Sequence, residues 1–524
     1  LNIWIRGAEV FVKPNFKFLK FNSQLSINPK MKSFKTLFCV LLFLAASTMV
    51  KAQEEAKPIP EAQSFMTLHE GVFGGKKMSY QVKGSEMYLK NSKGEPTGAM
   101  WSVVYIKSGT VDPTTRPVTF VFNGGPGSAS MWLHMGFFGP KVIRVDSDAK
   151  EDDGGAPFPI EVNKEALLDI MDLVFVDPIG TGYSQLIGKG EGKEYWGLNQ
   201  DAQSIAQFMR QWITENNRWM SPKYIAGESY GTTRAAAVAQ ALEGGGQNMA
   251  LNGLILISQA LDYQGSTSIN DNIRSYVTYL PSMATTAWYH KKAGQGKTIE
   301  AFAQEAREFA YGDYVSALYK GDFLSDAEKN EIAQRLSYFT GLDVGFIKRA
   351  NNRVLTGRFK KELLRDQGMA IGTLDGRYFG DDPDDTADSP ELGDASSYKV
   401  SAAYTAALNH YFTNDLKITM NRPYLTSGRV SPWDWGSGGE PMYVKTSRKL
   451  ANVMRRNDKM KVMVASGYYD LITPFFDAEI TFSRNAIPME RVKFTYYEGG
   501  HMMYNHWPAF EQLAKDIRLF IEAN

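Results

Sequence analysis

The chain of 524 residues contains a single cysteine, Cys39, and only six histidines. One cysteine cannot close an intramolecular disulfide. Neither Cys-x-x-Cys nor His-Glu-x-x-His spacing occurs, so no metal or cofactor is expected. Net charge is equally scarce, since 58 Lys plus Arg against 57 Asp plus Glu leave +1. So neutral a chain has no long-range field for a phosphate backbone and shows no local basic patch, which excludes nucleic acid as an expected partner. The apolar run from Leu37 to Ala46 is too short to cross a bilayer, and no membrane span is expected in the mature chain.

What is present is a globular composition, 43% hydrophobic, 13% aromatic and 22% charged. Lys32 and Lys35 precede the Leu37–Ala46 run, and Val50-Lys51-Ala52 puts small residues where a signal peptidase reads. Residues 31–52 therefore read as a signal peptide cleaved near Ala52, with Cys39 inside it, and the mature protein is expected to be secreted or periplasmic. Residues 1–30 precede Met31 and read as an upstream extension.

Residues 53–69 read as a linker. From Met78 to Ser108 polar and apolar residues alternate around turn signals, as in antiparallel strands. A different pattern follows, of continuous apolar runs at Val118–Phe122, Leu173–Val176, Tyr224–Ala226, Leu254–Ile257, Val462–Ala465 and Val492–Tyr497. Such runs suit strands covered on both faces. Helix patterns lie between them, one from Asn199 as N-cap to about Asn217. The alternation predicts an α/β fold with a doubly wound, mostly parallel sheet, its core split into residues 70–262 and 426–524. Residues 263–425, rich in helix formers, read as a helical lid insertion. Within the lid, Gly380 to Asp394 carries seven acidic residues and no basic one, and it reads as a solvated acidic loop because the ordered ligand spacing of an EF-hand is missing. The basic residues from Lys445 to Lys461 read as the outer face of a helix begun by Pro441.

Gly227-x-Ser229-x-Gly231 stands between a short apolar strand and a helix pattern, the context of a nucleophile elbow. A serine hydroxyl needs a base, and the base an orienting carboxylate. His501 follows the run ending at Tyr497, with His506 as the second candidate; His69, His134, His290 and His410 suit packing or surface roles. Asp470 lies just past the run ending at Ala465. The order Ser229, Asp470, His501 is that of an α/β-hydrolase. The glycines after Phe122, in Asn123-Gly-Gly-Pro-Gly-Ser, let backbone N–H groups approach a developing oxyanion.

These residues resemble the serine carboxypeptidases, in particular their cysteine-poor bacterial branch. The resemblance rests on five ordered blocks: Asn123-Gly-Gly-Pro-Gly-Ser, Asp177-Pro-Ile-Gly-Thr-Gly-Tyr-Ser, Gly227-Glu-Ser-Tyr-Gly-Thr-Thr-Arg, Ser466-Gly-Tyr-Tyr-Asp-Leu-Ile-Thr-Pro and Gly499-Gly-His-Met. It implies an α/β-hydrolase fold and hydrolysis of C-terminal residues from a peptide substrate. Ser229 would be the nucleophile, His501 the general acid and base, and Asp470 its orienter. The N–H groups of Gly125 and Tyr230 would form the oxyanion hole, and Asn123 and Glu228 would bind the substrate's terminal carboxylate. Because a glutamate donates to a carboxylate only when protonated, activity should favour acidic pH. Two places depart from the family pattern. Phe137 falls where many eukaryotic members have a second glutamate, and Ser258-Gln259 stands where Gly-Asn is common. The rival readings are an esterase or acyltransferase on the same triad, a proline-releasing aminopeptidase, which Asn123 argues against, and a non-catalytic binding protein on a hydrolase fold.

Overall fold

The computed structural model describes residues 58–523 except 110, 152–153, 245, 247 and 437–442. The upstream extension, the signal segment with Cys39, and Pro441 lie outside the described residues. From Ile59 onward the chain forms one unit built on a ten-stranded sheet. Its strands are β1 (Ser64–Phe73), β2 (Lys76–Lys90), β3 (Pro96–Lys107), β4 (Val118–Phe122), β5 (Asp172–Asp177), β6 (Gln185–Leu186), β7 (Lys223–Glu228), β8 (Gly253–Ile257), β9 (Lys461–Gly467) and β10 (Val492–Tyr497). They are ordered β1-β2-β3-β5-β4-β7-β8-β9-β10, with β6 also paired to β3. The links among β1, β2, β3 and β5 are antiparallel, and those from β5 through β10 are parallel.

Each expected apolar run coincides with one of the six parallel strands, and the reason lies in the packing. Phe120, Phe122, Val174, Val176, Ile225, Leu254, Leu256, Val462 and Val464 point into one core, covered by helices Leu198–Glu215, Tyr230–Leu242 and Ser447–Arg456. Their sequence neighbours Val121, Leu173, Phe175, Tyr224, Ala226, Ile255, Ile257, Met463 and Ala465 point into the opposite core, against helix Trp507–Glu522. With both faces dry, every position must be apolar and the period-two signal vanishes.

Three local differences from the sequence reading have physical causes. Strand β1 begins at Ser64, inside the stretch read as linker; as an edge strand it turns Met66, Leu68 and Val72 outward while Phe73 is buried and Phe65 packs against the core. The helix expected from Asn199 starts at Leu198, behind an extended Gly197. The last basic segment forms helix Ser447–Arg456, with Leu450, Ala451, Val453 and Met454 buried.

Between residues 263 and 425 the chain is mainly helical. Ile273–Tyr289, Ile299–Phe309 and Asp326–Thr340 contribute to a third apolar core, and a ribbon of Met369–Ile371 and Phe379–Asp381 breaks the pattern. The acidic stretch is not simply solvated. Lys361, fully buried on helix Thr356–Glu362, bonds Asp382 at 2.8 Å and Asp385 at 3.4 Å. Asp382 also accepts the N–H groups of Glu391 and Leu392, at 2.9 and 3.2 Å. A buried ammonium thus organises the loop that the sequence reads as solvated. Among the described residues no group of acidic, histidine or cysteine side chains is arranged to hold a metal ion, and no helix is long and apolar enough to cross a membrane.

Candidate active site

The site lies at the carboxyl ends of the parallel strands, where loops alone close the sheet edge. Strand β7 ends at Glu228 and helix Tyr230–Leu242 begins two residues on, leaving Ser229 in the turn with φ 61° and ψ −130°. A non-glycine residue there carries strain of about 1–3 kcal/mol, which its surroundings must hold. They do so through the Ser229 N–H, bonded to the Ile257 carbonyl at 3.0 Å, and the Ser229 carbonyl, which accepts the Thr232 N–H at 2.8 Å. A Cβ on Gly227 would stand 2.4 Å from the Gly231 carbonyl oxygen, so the tight turn requires glycine.

Asp470 and His501 come from the loops after β9 and β10. His501 Nδ1 is 2.8 Å from Asp470 Oδ2, and both residues are buried. Asp470 is held by the N–H groups of Ile472 and Thr473 on Oδ1, at 2.8 and 2.9 Å, and by the Thr473 hydroxyl on Oδ2 at 2.7 Å. Burial works against a charge on His501, but Asp470, by charge and hydrogen bond, followed by Glu228 and Asp394, outweighs it and raises the imidazole's pKa. The end of β8 ties this loop to the elbow. Ile257 binds the Ser229 N–H, and the next residue, Ser258, gives its hydroxyl to the His501 carbonyl at 2.7 Å. Ser258 has φ 51°, a conformation that favours glycine, and its hydroxyl supplies a bond that glycine could not.

Two further contacts to this loop come from the mainly helical segment between residues 263 and 425. The His501 N–H donates to the Leu374 carbonyl at 2.5 Å, and the Gly500 N–H to Asp375 Oδ2 at 3.1 Å, with Arg377 paired to Asp375 at 2.6 Å.

The glycine loop packs directly on the elbow, since a Cβ on Gly124 would be 2.5 Å from the Tyr230 nitrogen. Gly125 lies in this loop with φ 103°. Asn123 is buried and held on three sides. Its Oδ1 accepts the Leu133 N–H at 3.0 Å, its Nδ2 donates to Glu228 Oε1 at 3.0 Å, and its carbonyl accepts from Arg234 at 2.5 Å. Arg234 is itself paired with Asp201 at 2.7 Å. Glu228 Oε2 accepts the Tyr504 hydroxyl at 2.7 Å. Burial pushes the Glu228 pKa from 4.5 up to about 7, against the opposing effects of the His501 charge and the hydrogen bonds from Tyr504 and Asn123.

The other histidines are placed elsewhere. His134 is buried, stacked on Phe175 with ring centroids 4.0 Å apart, and kept neutral by burial, which takes its pKa down to about 3. His506 caps helix Trp507–Glu522, and its Nδ1 has no partner among the described residues. His69 bonds Thr67, His290 bonds the Gly376 carbonyl, and His410 is exposed at the end of helix Ser401–His410. Phe137 lies in the apolar core, its ring 5.2 Å from that of Phe510 and 6.0 Å from that of Tyr504.

Sequence reasoning missed Thr473, Tyr504, Ser258, Leu374 and Asp375. Only Thr473 left a local signal, as the hydroxyl three residues after an aspartate at the start of a turn.

A family model described as serine carboxypeptidase matches residues 88–497, a span that includes Ser229 and Asp470 and ends just before His501. Among solved structures, the prohormone-processing carboxypeptidase Kex1(delta)p from Saccharomyces cerevisiae is similar over 84% of this chain and 91% of its own, at 13% identity and a TM-score of 0.53. The peroxisomal alpha-beta-hydrolase Lpx1 from the same yeast matches over 88% of this chain and 90% of its own, at 8% identity and a TM-score of 0.32. Juvenile hormone epoxide hydrolase from the silkworm Bombyx mori matches over 85% and 76%, at 12% identity and a TM-score of 0.29. No curated protein sequence matches significantly. The parallel sheet, its helical cover and the likeness to the yeast carboxypeptidase make the fold an α/β-hydrolase. With the family model spanning most of the chain, the protein belongs to the serine carboxypeptidase family.

Proposed function

We propose that this serine-type carboxypeptidase removes residues from the free C-termini of peptides through an acyl-enzyme formed on Ser229. The observation that carries the reading is the 2.8 Å bond between His501 and a fully bonded Asp470, on the sheet edge that also bears the strained Ser229 turn. Ser229 Oγ attacks the scissile carbonyl while His501 takes its proton; Asp470 keeps the imidazole oriented and stabilises its charge. The N–H groups of Gly125 and Tyr230 receive the oxyanion. His501 then returns the proton to the departing amine, and water repeats the sequence to free the shortened peptide.

Asn123 and Glu228 bind the terminal carboxylate. With its pKa at about 7, Glu228 is protonated across the acidic range, and that proton lets the site present a hydrogen-bond donor to the substrate's carboxylate. As pH rises through that value it becomes a second anion facing the substrate's, so activity on free acids falls. Residues 31–52 direct the chain to a secreted or periplasmic location, and residues 263–425 form the lid over the site.

Rapid-mixing kinetics test the nucleophile, since Ser229→Ala should abolish the acylation burst while leaving the circular dichroism spectrum unchanged. A burst of wild-type size would remove Ser229 from the mechanism. Turnover of one peptide with a free and with an amidated C-terminus tests the carboxylate site, and equal rates overturn it.

A further inference from the structure

We propose that Tyr504 is a third member of the carboxylate-recognition site, its hydroxyl serving Glu228 as a reversible hydrogen-bond partner that also binds the substrate. The proposal rests on the carboxypeptidase reading above and assigns a residue that the sequence motifs do not mark.

Both oxygens of Glu228 are engaged inside the protein, Oε1 by Asn123 Nδ2 at 3.0 Å and Oε2 by the Tyr504 hydroxyl at 2.7 Å. The amide of Asn123 cannot turn over to accept, because its Oδ1 already receives the Leu133 N–H at 3.0 Å. An ionised Glu228 accepts from both neighbours and has no proton to offer. A neutral Glu228 carries one proton, and with an N–H donor facing Oε1 that proton belongs on Oε2, facing the phenol oxygen. The phenol then accepts from Glu228 and its own hydrogen is free to bind an incoming carboxylate. Glu228 takes up one proton from solvent, the phenol keeps its own, and the hydrogen bond between them reverses.

The surroundings hold the phenol to this task. Tyr504 is buried in the turn Met503–Asn505, three residues beyond His501, so one loop supplies both the base and the partner of Glu228. Asn505 Oδ1 does not compete, since it accepts the Tyr404 hydroxyl at 2.6 Å. Burial and the charge of Glu228 keep the phenol protonated at every working pH. The titratable groups acting on the pair are His501 and Asp470, whose charges reach Glu228, and Tyr404 beside Tyr504; Asp394 and Asp470 act in turn on His501. Phe137, standing where the resemblance places a second glutamate, stacks its ring near that of Tyr504. A phenol beside Glu228 offers a proton without adding the repulsion of a second carboxylate.

Tyr504→Phe removes only the hydroxyl. Steady-state kinetics should be measured on one peptide, as free acid and as amide, from about pH 4 to 9, where both limbs of the profile fall. The variant should raise KM for the free acid about tenfold or more, as expected for losing a hydrogen bond to a charged group, with far less effect on the amide. Glu228 would also lose a donor to its ionised form, so the alkaline limb for the free acid should move to higher pH. In Glu228→Gln that limb should be absent, and it should stay absent when Tyr504→Phe is added, because the limb reports the Glu228 charge. A merely structural tyrosine would lower the melting temperature without changing the acid-to-amide ratio or the limb. If the wild type fails to distinguish acid from amide, the carboxylate reading falls and this proposal with it. If the wild type distinguishes them and Tyr504→Phe keeps the same ratio and limb, the assignment of Tyr504 alone is overturned.

Discussion

Replacing Glu228 by Gln should change how stability depends on pH, in a direction opposite to that of an ordinary surface carboxylate. Burial holds the Glu228 pKa at about 7 in the folded chain, against 4.5 when exposed. Between those values the unfolded chain has released a proton that the folded chain keeps, so stability falls as pH rises through this window. The contribution is whole below pH about 4.5 and lost above about 7. At about 1.36 kcal/mol for each pH unit, the full change is about 3 kcal/mol. Glutamine keeps the shape and has no proton to lose. Its neutrality also weakens the pull that raises the His501 pKa, a change that acts in the same direction. Asp477, buried with its pKa pushed up to about 7, adds a similar slope to both proteins and cancels in the difference. Urea titrations of wild type and Glu228→Gln at intervals from about pH 4 to 8 should therefore show the variant gaining about 3 kcal/mol relative to wild type across the range. A difference that stays flat would mean that Glu228 titrates in the folded chain as it does in the unfolded one, near 4.5, and would remove the physical basis of the acidic optimum.

Arg234→Met should cost about 3–5 kcal/mol in urea titrations, because it strands the buried Asp201 and frees the Asn123 carbonyl; Asp201→Asn in the same chain should restore part of the loss, and a cost below about 1 kcal/mol would refute the role. Lys361→Met should destabilise the acidic loop by a comparable amount, read as early proteolysis within residues 380–394, whereas calcium or a chelator should leave the wild-type melting temperature unchanged. A calcium-dependent rise in that temperature would show that a cation, with Lys361, organises the loop.

How much of this was legible in the sequence depended on whether a residue's partner lay close along the chain. Five of the six parallel strands could be read because burial on both faces leaves continuous apolar runs; the edge strand β10, with Lys493 exposed, was legible from its aromatic and β-branched residues, and Ser229, Asp470 and His501 each follow one of these strands. Strand β1 was read as linker because it exposes Met66, Leu68 and Val72 while Phe65 and Phe73 pack inward, which blurs the relation between apolarity and burial. The acidic stretch was read as solvated because its cation, Lys361, sits on a separate helix. Ser258 looked like a departure from pattern. Its hydroxyl bond to His501 spans 243 positions and has no local signature. Tyr504 lies close to His501 in the chain, yet its role depends on Glu228, 276 positions away.

Glu228 and His501 also have to be considered as one titrating pair. Ionised Glu228 raises the His501 pKa, and protonated His501 lowers that of Glu228. With one proton between them, the pair can exist as neutral acid and neutral base or as carboxylate and imidazolium, and only the first can activate Ser229. In the proposed binding mode the substrate's carboxylate rests against Glu228. It accepts a hydrogen bond from the neutral pair of Glu228 and Tyr504, and it repels ionised Glu228 more strongly than it attracts the more distant imidazolium. Binding of a free C-terminus therefore selects the proton arrangement in which His501 is a base. An amidated end exerts no such selection, so discrimination between the two should appear in kcat as well as in KM, because the group that marks a chain terminus also sets the protonation state needed for attack.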